Sequence, residues 1–289
     1  MRVLVTGAGG MVGRALVQYC EPLGDEVLAY DHAALEIADP MAVMQTLERE
    51  RPETVINCAA WTDVDGCERD PQRAFNANAR GPENLATSSR RVGASFLTIS
   101  TDFVFDGAKE GFYTQRDDPH PESHYGRSKL DGERRAQKAS ARTIIVRSGW
   151  IFGPGGRNFL SRVVELTRDG QPLKAIRDAY GTPTSARDLA ARLRELAALD
   201  LPGIYHVVNS GEGASFEEFA RAALDLAGLN TGSLESVSMD SLNRPAPRPR
   251  NSRLGCLLSP AIGLKPLPGW QDALRDFVCE KPETRVVLN

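Results

Sequence analysis

The chain has 289 residues, 41% hydrophobic and 25% charged, which fits a soluble globular protein of one large domain or two ordinary ones. A formal net charge of -3 speaks against the phosphate backbone of a nucleic acid as partner. The five cysteines (Cys20, Cys58, Cys67, Cys256 and Cys279) form no C-x-x-C pair, so neither a disulfide framework nor a zinc or other metal site is expected.

In chain order, Val3–Val5, Glu26–Tyr30, Thr54–Cys58, Ser95–Ser100 and Thr143–Arg147 read as buried strands. Helical patterns lie between them, beginning near Gly10, Pro40, Pro71 and Ser123. The second opens on Asp39-Pro40, an N-cap acid before a proline at the first helical position. Further on, Asn158–Arg168, Ala186–Leu199 and Phe216–Leu226 read as helices and Ile204–Val208 as a strand. The segment Arg244–Arg253 alternates proline with arginine, which predicts a loop or edge segment. Strands alternating with helices imply a parallel sheet covered on both faces. The predicted class is therefore α/β: a Rossmann-type doubly wound sheet with a smaller carboxy-terminal α+β substrate lobe. The expected division gives residues 1–155 and 177–210 to the nucleotide-binding domain, and residues 156–176 and 211–289 to the lobe. No uncharged apolar stretch approaches bilayer length and no leader is evident, so a cytoplasmic protein is expected.

The first strand runs into Thr6-Gly7-Ala8-Gly9-Gly10-Met11-Val12-Gly13. Of the glycines Gly7, Gly10 and Gly13, one permits the tight turn, one the approach of a pyrophosphate, and one close helix packing. The helix that follows offers unpaired N–H groups and the positive end of its dipole to phosphate. Asp31 ends the second strand, near the roughly 20-residue spacing of an acid that binds the adenosine ribose. With no arginine close behind it, that carboxylate favours NADH over NADPH.

Tyr125 and Lys129 lie four apart and share a helix face. A neighbouring ammonium is expected to favour the phenolate, lowering the tyrosine pKa toward useful acid–base work. Ser100-Thr101-Asp102 closes the preceding strand, at the end where ligands bind in this architecture. A hydroxyl there can hold the same substrate oxygen.

These blocks resemble the dTDP-4-dehydrorhamnose reductases, within the extended short-chain dehydrogenase/reductase superfamily. The resemblance runs through Asn57–Asp65, Ser100–Gly107, Tyr125–Glu133, Arg147–Gly153, Gly181–Thr184 with Asp188-Leu189, and Arg248–Leu254. It implies reduction of the 4-keto group of dTDP-6-deoxy-L-lyxo-4-hexulose to dTDP-L-rhamnose with NADH or NADPH, and leaves a homodimer as an expectation. By position, Tyr125 would donate the proton with Lys129 as partner, and Thr101 would stabilise the oxyanion. Gly7, Gly10, Met11, Val12 and Gly13 would line the pyrophosphate, Asp31 the ribose, Glu36-Ile37 the adenine region, and Ala59-Ala60-Trp61 the nicotinamide side. Tyr125 and Lys129 would also touch the cofactor, while Thr101, Asp102 and Trp150 would touch the sugar nucleotide. The arginines of the proline-stiffened loop, Arg250 and Arg253 among them, are expected to reach its pyrophosphate, a solvated basic linker being the alternative.

Five positions depart from the family pattern. Met11 and Ala179 stand where Gln is common, Trp61 and Phe103 where Tyr is, and Glu36 where Asp is. Two other readings share the motifs. One is a reductase of a different nucleotide-linked 4-keto-deoxysugar. The other is a non-catalytic regulatory subunit like the methionine adenosyltransferase beta subunit.

Overall fold

In the computed structural model, which describes residues 1–279, the strands expected from β-branched runs form one six-stranded parallel sheet. From edge to edge its order is Gly203–His206, Thr143–Ser148, Ser95–Thr101, Thr54–Asn57, Arg2–Thr6 and Glu26–Tyr30. The first strand pairs in parallel with the second (Val3 with Val27) and with the third (Val3 with Thr54). The chain thus turns back across the first strand, which makes the gap between the first and third strands the switch point where ligands bind. Both the glycine turn and the Cys58–Trp61 loop leave the sheet there.

Burial on both faces explains why these strands are apolar throughout rather than alternating. Helices Met11–Cys20 and Ala186–Leu199 cover one face, packing Leu16, Leu189, Leu193 and Leu196 onto Val3, Val5, Ile56 and Leu97. On the other face Leu47, Val43 and Leu85 meet Leu4, Val55 and Phe96. Asp39 caps the helix Pro40–Glu50 as expected, accepting from Met41 N at 2.9 Å and Ala42 N at 3.1 Å.

A second apolar core joins Phe152, Leu160 and Val163 to Phe219, Leu224, Trp270 and Leu274. Beside it Leu173–Ile176 pairs in parallel with Leu234–Val237, two strands that the sequence pattern did not disclose. Residues 280–289 of the expected lobe lie outside the described residues. Among the described residues no helix is long and apolar enough to cross a membrane.

Candidate active site

The glycine turn has a distinct physical reason at each position. Gly7 has φ +67°, and a Cβ there would lie 2.6 Å from Ala59 N in the adjoining loop. A Cβ on Gly13 would run into the Gly7 carbonyl, so the turn and helix close on each other. Gly10 N donates to Gly7 O at 2.9 Å, and Gly9 and Gly10 remain exposed. No side chain caps the helix that begins at Met11, which leaves its first N–H groups for an anion. Met11 turns its sulfur toward the Ser161 hydroxyl at 3.6 Å, tying the start of this helix to Phe159–Arg168.

Asp31 sits at the rim of the turn: a Cβ on Gly9 would lie 3.4 Å from its own. Its Oδ1 accepts from Ala34 N at 2.9 Å. Glu36 and Ile37, expected in the adenine region, turn their side chains opposite ways. Glu36 is exposed, facing His32 at 3.5 Å and accepting from Ala38 N. Ile37 is 5% exposed and its side chain belongs to the core, packed where a Cβ on Gly81 would stand. At Ile37 the backbone, and not the side chain, is left for that role.

Asn78 carried no motif and was missed in the sequence. Fully buried in the π-helical turn Asn76–Arg80, it accepts from Trp61 N at 2.9 Å and donates to Trp61 O at 3.0 Å. It also donates to Ser128 Oγ at 3.1 Å, joining the Ala59–Trp61 loop to the Tyr125–Lys129 helix. Such turns concentrate at functional sites.

The helix His124–Ala139 starts on a Ser123 cap and lays Tyr125 and Lys129 against the end of the fourth strand. Lys129 Nζ donates to Ile99 O at 2.7 Å, and the Thr101 hydroxyl lies beside the Tyr125 phenol. The expected lowering of the tyrosine pKa is corrected here. Burial dominates and holds the phenol well above its ordinary value, with the Asp102 charge adding and the Thr101 bond opposing. The phenol therefore keeps its proton at neutral pH. Lys129 itself is pushed down to about 8 by burial, against the raising effect of Glu133.

Asp102 is 2% exposed and burial raises it to about 6. Its Oδ1 accepts from Thr101 Oγ1 at 3.0 Å. Ser252 lies against the carboxylate, yet Oδ2 has no hydrogen bond of good geometry. Ser252 also accepts from Trp150 Nε1 at 3.2 Å. Trp150 is held at φ +52° and stacks on Phe216 with ring centroids 3.8 Å apart. Thr101, Asp102, Ser252 and Trp150 thus form one chain of contacts from the sheet into the second core. Ser252 was legible only as part of a sequence block.

The proline–arginine segment is irregular, as expected, but firmly docked. Tyr180 N donates to Arg250 O at 2.7 Å, and Asn251 Nδ2 donates to Lys109 O and Gly111 O. Arg248 forms a two-pronged pair with Asp65 at 2.9 and 3.0 Å. Arg250, half-exposed, is gripped by Asp178 at 3.0 Å and Asp240 at 2.6 Å, so a phosphate would have to displace two carboxylates. Arg253 lies over the rings of Phe112 at 5.4 Å and Tyr180 at 5.8 Å, a guanidinium with no carboxylate on it among the described contacts.

Residues 1–282 match the family described as the RmlD substrate binding domain. The chain belongs to that family. It is 37% identical to the spore coat polysaccharide biosynthesis protein SpsK of Bacillus subtilis, over 97% of this chain and 98% of that protein. It is 38% identical to a dTDP-4-dehydrorhamnose reductase of Streptomyces griseus, over 95% and 92%. A Bacillus anthracis dTDP-4-dehydrorhamnose reductase, solved with NADP, superposes with a TM-score of 0.92 at 32% identity, over 97% of this chain and 99% of that one.

Proposed function

We propose that the protein is an NAD(P)H-dependent reductase of a dTDP-linked 4-keto-6-deoxysugar, converting dTDP-6-deoxy-L-lyxo-4-hexulose to dTDP-L-rhamnose. The buried cluster of Thr101, Tyr125 and Lys129 carries this reading, because it stands beside an uncapped glycine turn at the ends of parallel strands. Membership of the RmlD family and the names of its relatives support the oxidoreductase class and the nicotinamide cofactor.

The exposed Gly9-Gly10 backbone and free helix start fit a dinucleotide pyrophosphate, and Asp31 at its rim fits the adenosine ribose. When bound, the nicotinamide supplies hydride to the carbonyl carbon. Tyr125, kept protonated by burial, gives its phenolic proton to the 4-keto oxygen. The Thr101 hydroxyl, whose proton rests on Asp102, would turn that proton to the same oxygen. The Lys129 ammonium offsets the charge left on the phenolate, and its two remaining N–H donors are free for the nicotinamide ribose. Asp102 and Trp150 face the sugar, which we assign to the lobe of residues 156–176 and 211–289.

The deciding experiment measures NAD(P)H oxidation with dTDP-6-deoxy-L-lyxo-4-hexulose and with other nucleotide-linked 4-keto-sugars. Rapid turnover of the first supports the proposal, and turnover of another sugar alone moves the assignment to it. Tight cofactor binding with no turnover of any sugar overturns the enzymatic reading in favour of a regulatory subunit.

Two results are expected alongside. NADH is expected to sustain turnover, because Asp31 repels the 2′-phosphate of NADPH; strict NADPH dependence would remove Asp31 from the ribose site. Arg253→Ala is expected to weaken dTDP-sugar binding about tenfold or more in calorimetry with NAD(P)H affinity unchanged, since a charge-assisted bond contributes about 1.5–3 kcal/mol. Arg250→Ala is expected to do less, because its guanidinium is already paired. Equal sugar affinity in wild type and Arg253→Ala would make the segment a linker only.

A further inference from the structure

Three consecutive residues at the end of the fourth strand each hold one residue of the neighbouring helix. Ile99 O takes the Lys129 ammonium, Ser100 Oγ donates to Glu133 Oε1, and Thr101 engages Tyr125. Tyr125, Lys129 and Glu133 recur every four residues, so they form one stripe down the helix. Glu133 is the member without a role in the reaction described above. It is also among the most deeply buried charges of the chain, at 2% exposure.

Its carboxylate is clamped from the fifth strand. Arg147 Nε donates to Oε1 at 2.9 Å and Arg147 Nη2 to Oε2 at 2.7 Å. Arg147 is the register partner of Ser100, so the clamp spans adjacent strands at the same level. Phe105 lies under the guanidinium at 5.3 Å and closes it from below. A two-pronged arginine–carboxylate pair fixes geometry as well as charge.

We propose that Glu133 is a positioning residue for the reduction, whose clamped carboxylate, one turn along the helix from Lys129, keeps that amine charged. This rests on the reductase reading. The charge inventory around Lys129 supports the assignment. Burial alone drives an amine toward its neutral form, and Lys129 titrates near 8 with Glu133 as the leading opposing influence. The other groups facing it are Cys58, from the loop after the third strand, and Cys67, from the helix Val64–Arg69. Burial raises these thiols to about 12 and about 11, so both stay neutral. Arg147 lies behind Glu133 and its charge works in the opposite direction. Glu133 is therefore the only anion acting on the amine from the elements named.

The test is a pH titration of Lys129 by NMR in full-length protein carrying isotope-labelled lysine, with the resonance assigned through Lys129→Arg. In Glu133→Gln the midpoint is expected to fall by about one pH unit, a tenfold loss of the charged form at the alkaline edge. Glu133→Asp, which keeps the charge, is expected to restore the midpoint. A wild-type midpoint in Glu133→Gln, or an equal fall in Glu133→Asp, would overturn the proposal and leave Glu133 a structural role. If Glu133→Gln does not fold, Glu133→Met with Arg147→Met leaves no lone buried charge. A smaller fall in the same direction is then expected, and an unchanged midpoint overturns the proposal. The alkaline limb of kcat/KM is expected to move with the titration. Wild type inert toward every keto-sugar would sink the reductase reading instead, and the NMR midpoint would still judge Glu133.

Discussion

Tyr125→Phe is expected to lower turnover by about two to four powers of ten, the scale of a lost general acid. The substitution removes one oxygen and keeps the ring, which packs edge-on against Phe103 with centroids 5.7 Å apart and shares an apolar cluster with Cys67 and Ala74. Packing therefore survives, and NAD(P)H affinity is expected to stay within about threefold of wild type, a difference under 1 kcal/mol. Raising the pH does not substitute for the missing group, because the 4-keto oxygen needs a proton and not a base. The upward displacement of the phenol fits this direction of reaction, since a protonated tyrosine at neutral pH is ready to give. Steady-state kinetics with a fluorescence titration of NAD(P)H checks both parts. Near-normal turnover in a folded Tyr125→Phe protein would take Tyr125 out of the mechanism.

What was legible in the sequence was local. The glycine turn could be read because its reasons, a positive φ at Gly7 and a close approach at Gly13, are met within a few residues and one adjoining loop. Asp39-Pro40 announced a helix start for the same reason. The stripe of Tyr125 and Lys129 followed from helix periodicity, while Glu133, one further step along, was not singled out. What the periodicity could not supply was the partner of each side chain. That Ile99 accepts from the ammonium depends on how helix and strand dock, and the burial that docking brings reverses the expected effect on the phenol.

The arginine segment divides in the same way. Its prolines foretold irregular backbone, while the carboxylates that take Arg248 and Arg250 come from Asp65, Asp178 and Asp240, on other elements. Ile37 looked like a lining residue but is core, because the helix begun by Gly81 presses on it. Asn78 left no trace, since a π turn has no composition of its own. In each case the missing information was a contact between segments distant in the chain.

Arg147→Met is expected to destabilise the protein by about 3–5 kcal/mol, the cost of stripping one partner from a buried ion pair. Both side chains are nearly inaccessible, at 4% for Arg147 and 2% for Glu133, so water cannot replace the guanidinium. Methionine fills much of the same volume over Phe105, which keeps the cavity contribution small and isolates the electrostatic one. The diagnostic comparison is the double variant, Glu133→Met with Arg147→Met. Removing both charges removes the uncompensated carboxylate, and apolar replacement of a buried pair is often neutral. Ser100 then loses its acceptor, at about 1–3 kcal/mol if the hydroxyl stays unpaired. The double variant is therefore expected to be more stable than Arg147→Met alone, although it carries more substitutions. Denaturant unfolding of wild type, both single variants and the double variant gives the coupling directly. If the double variant loses the sum of the two singles, the charges act independently and the clamp is no energetic unit. If it recovers, the charges act as one unit whose net contribution to the fold is small.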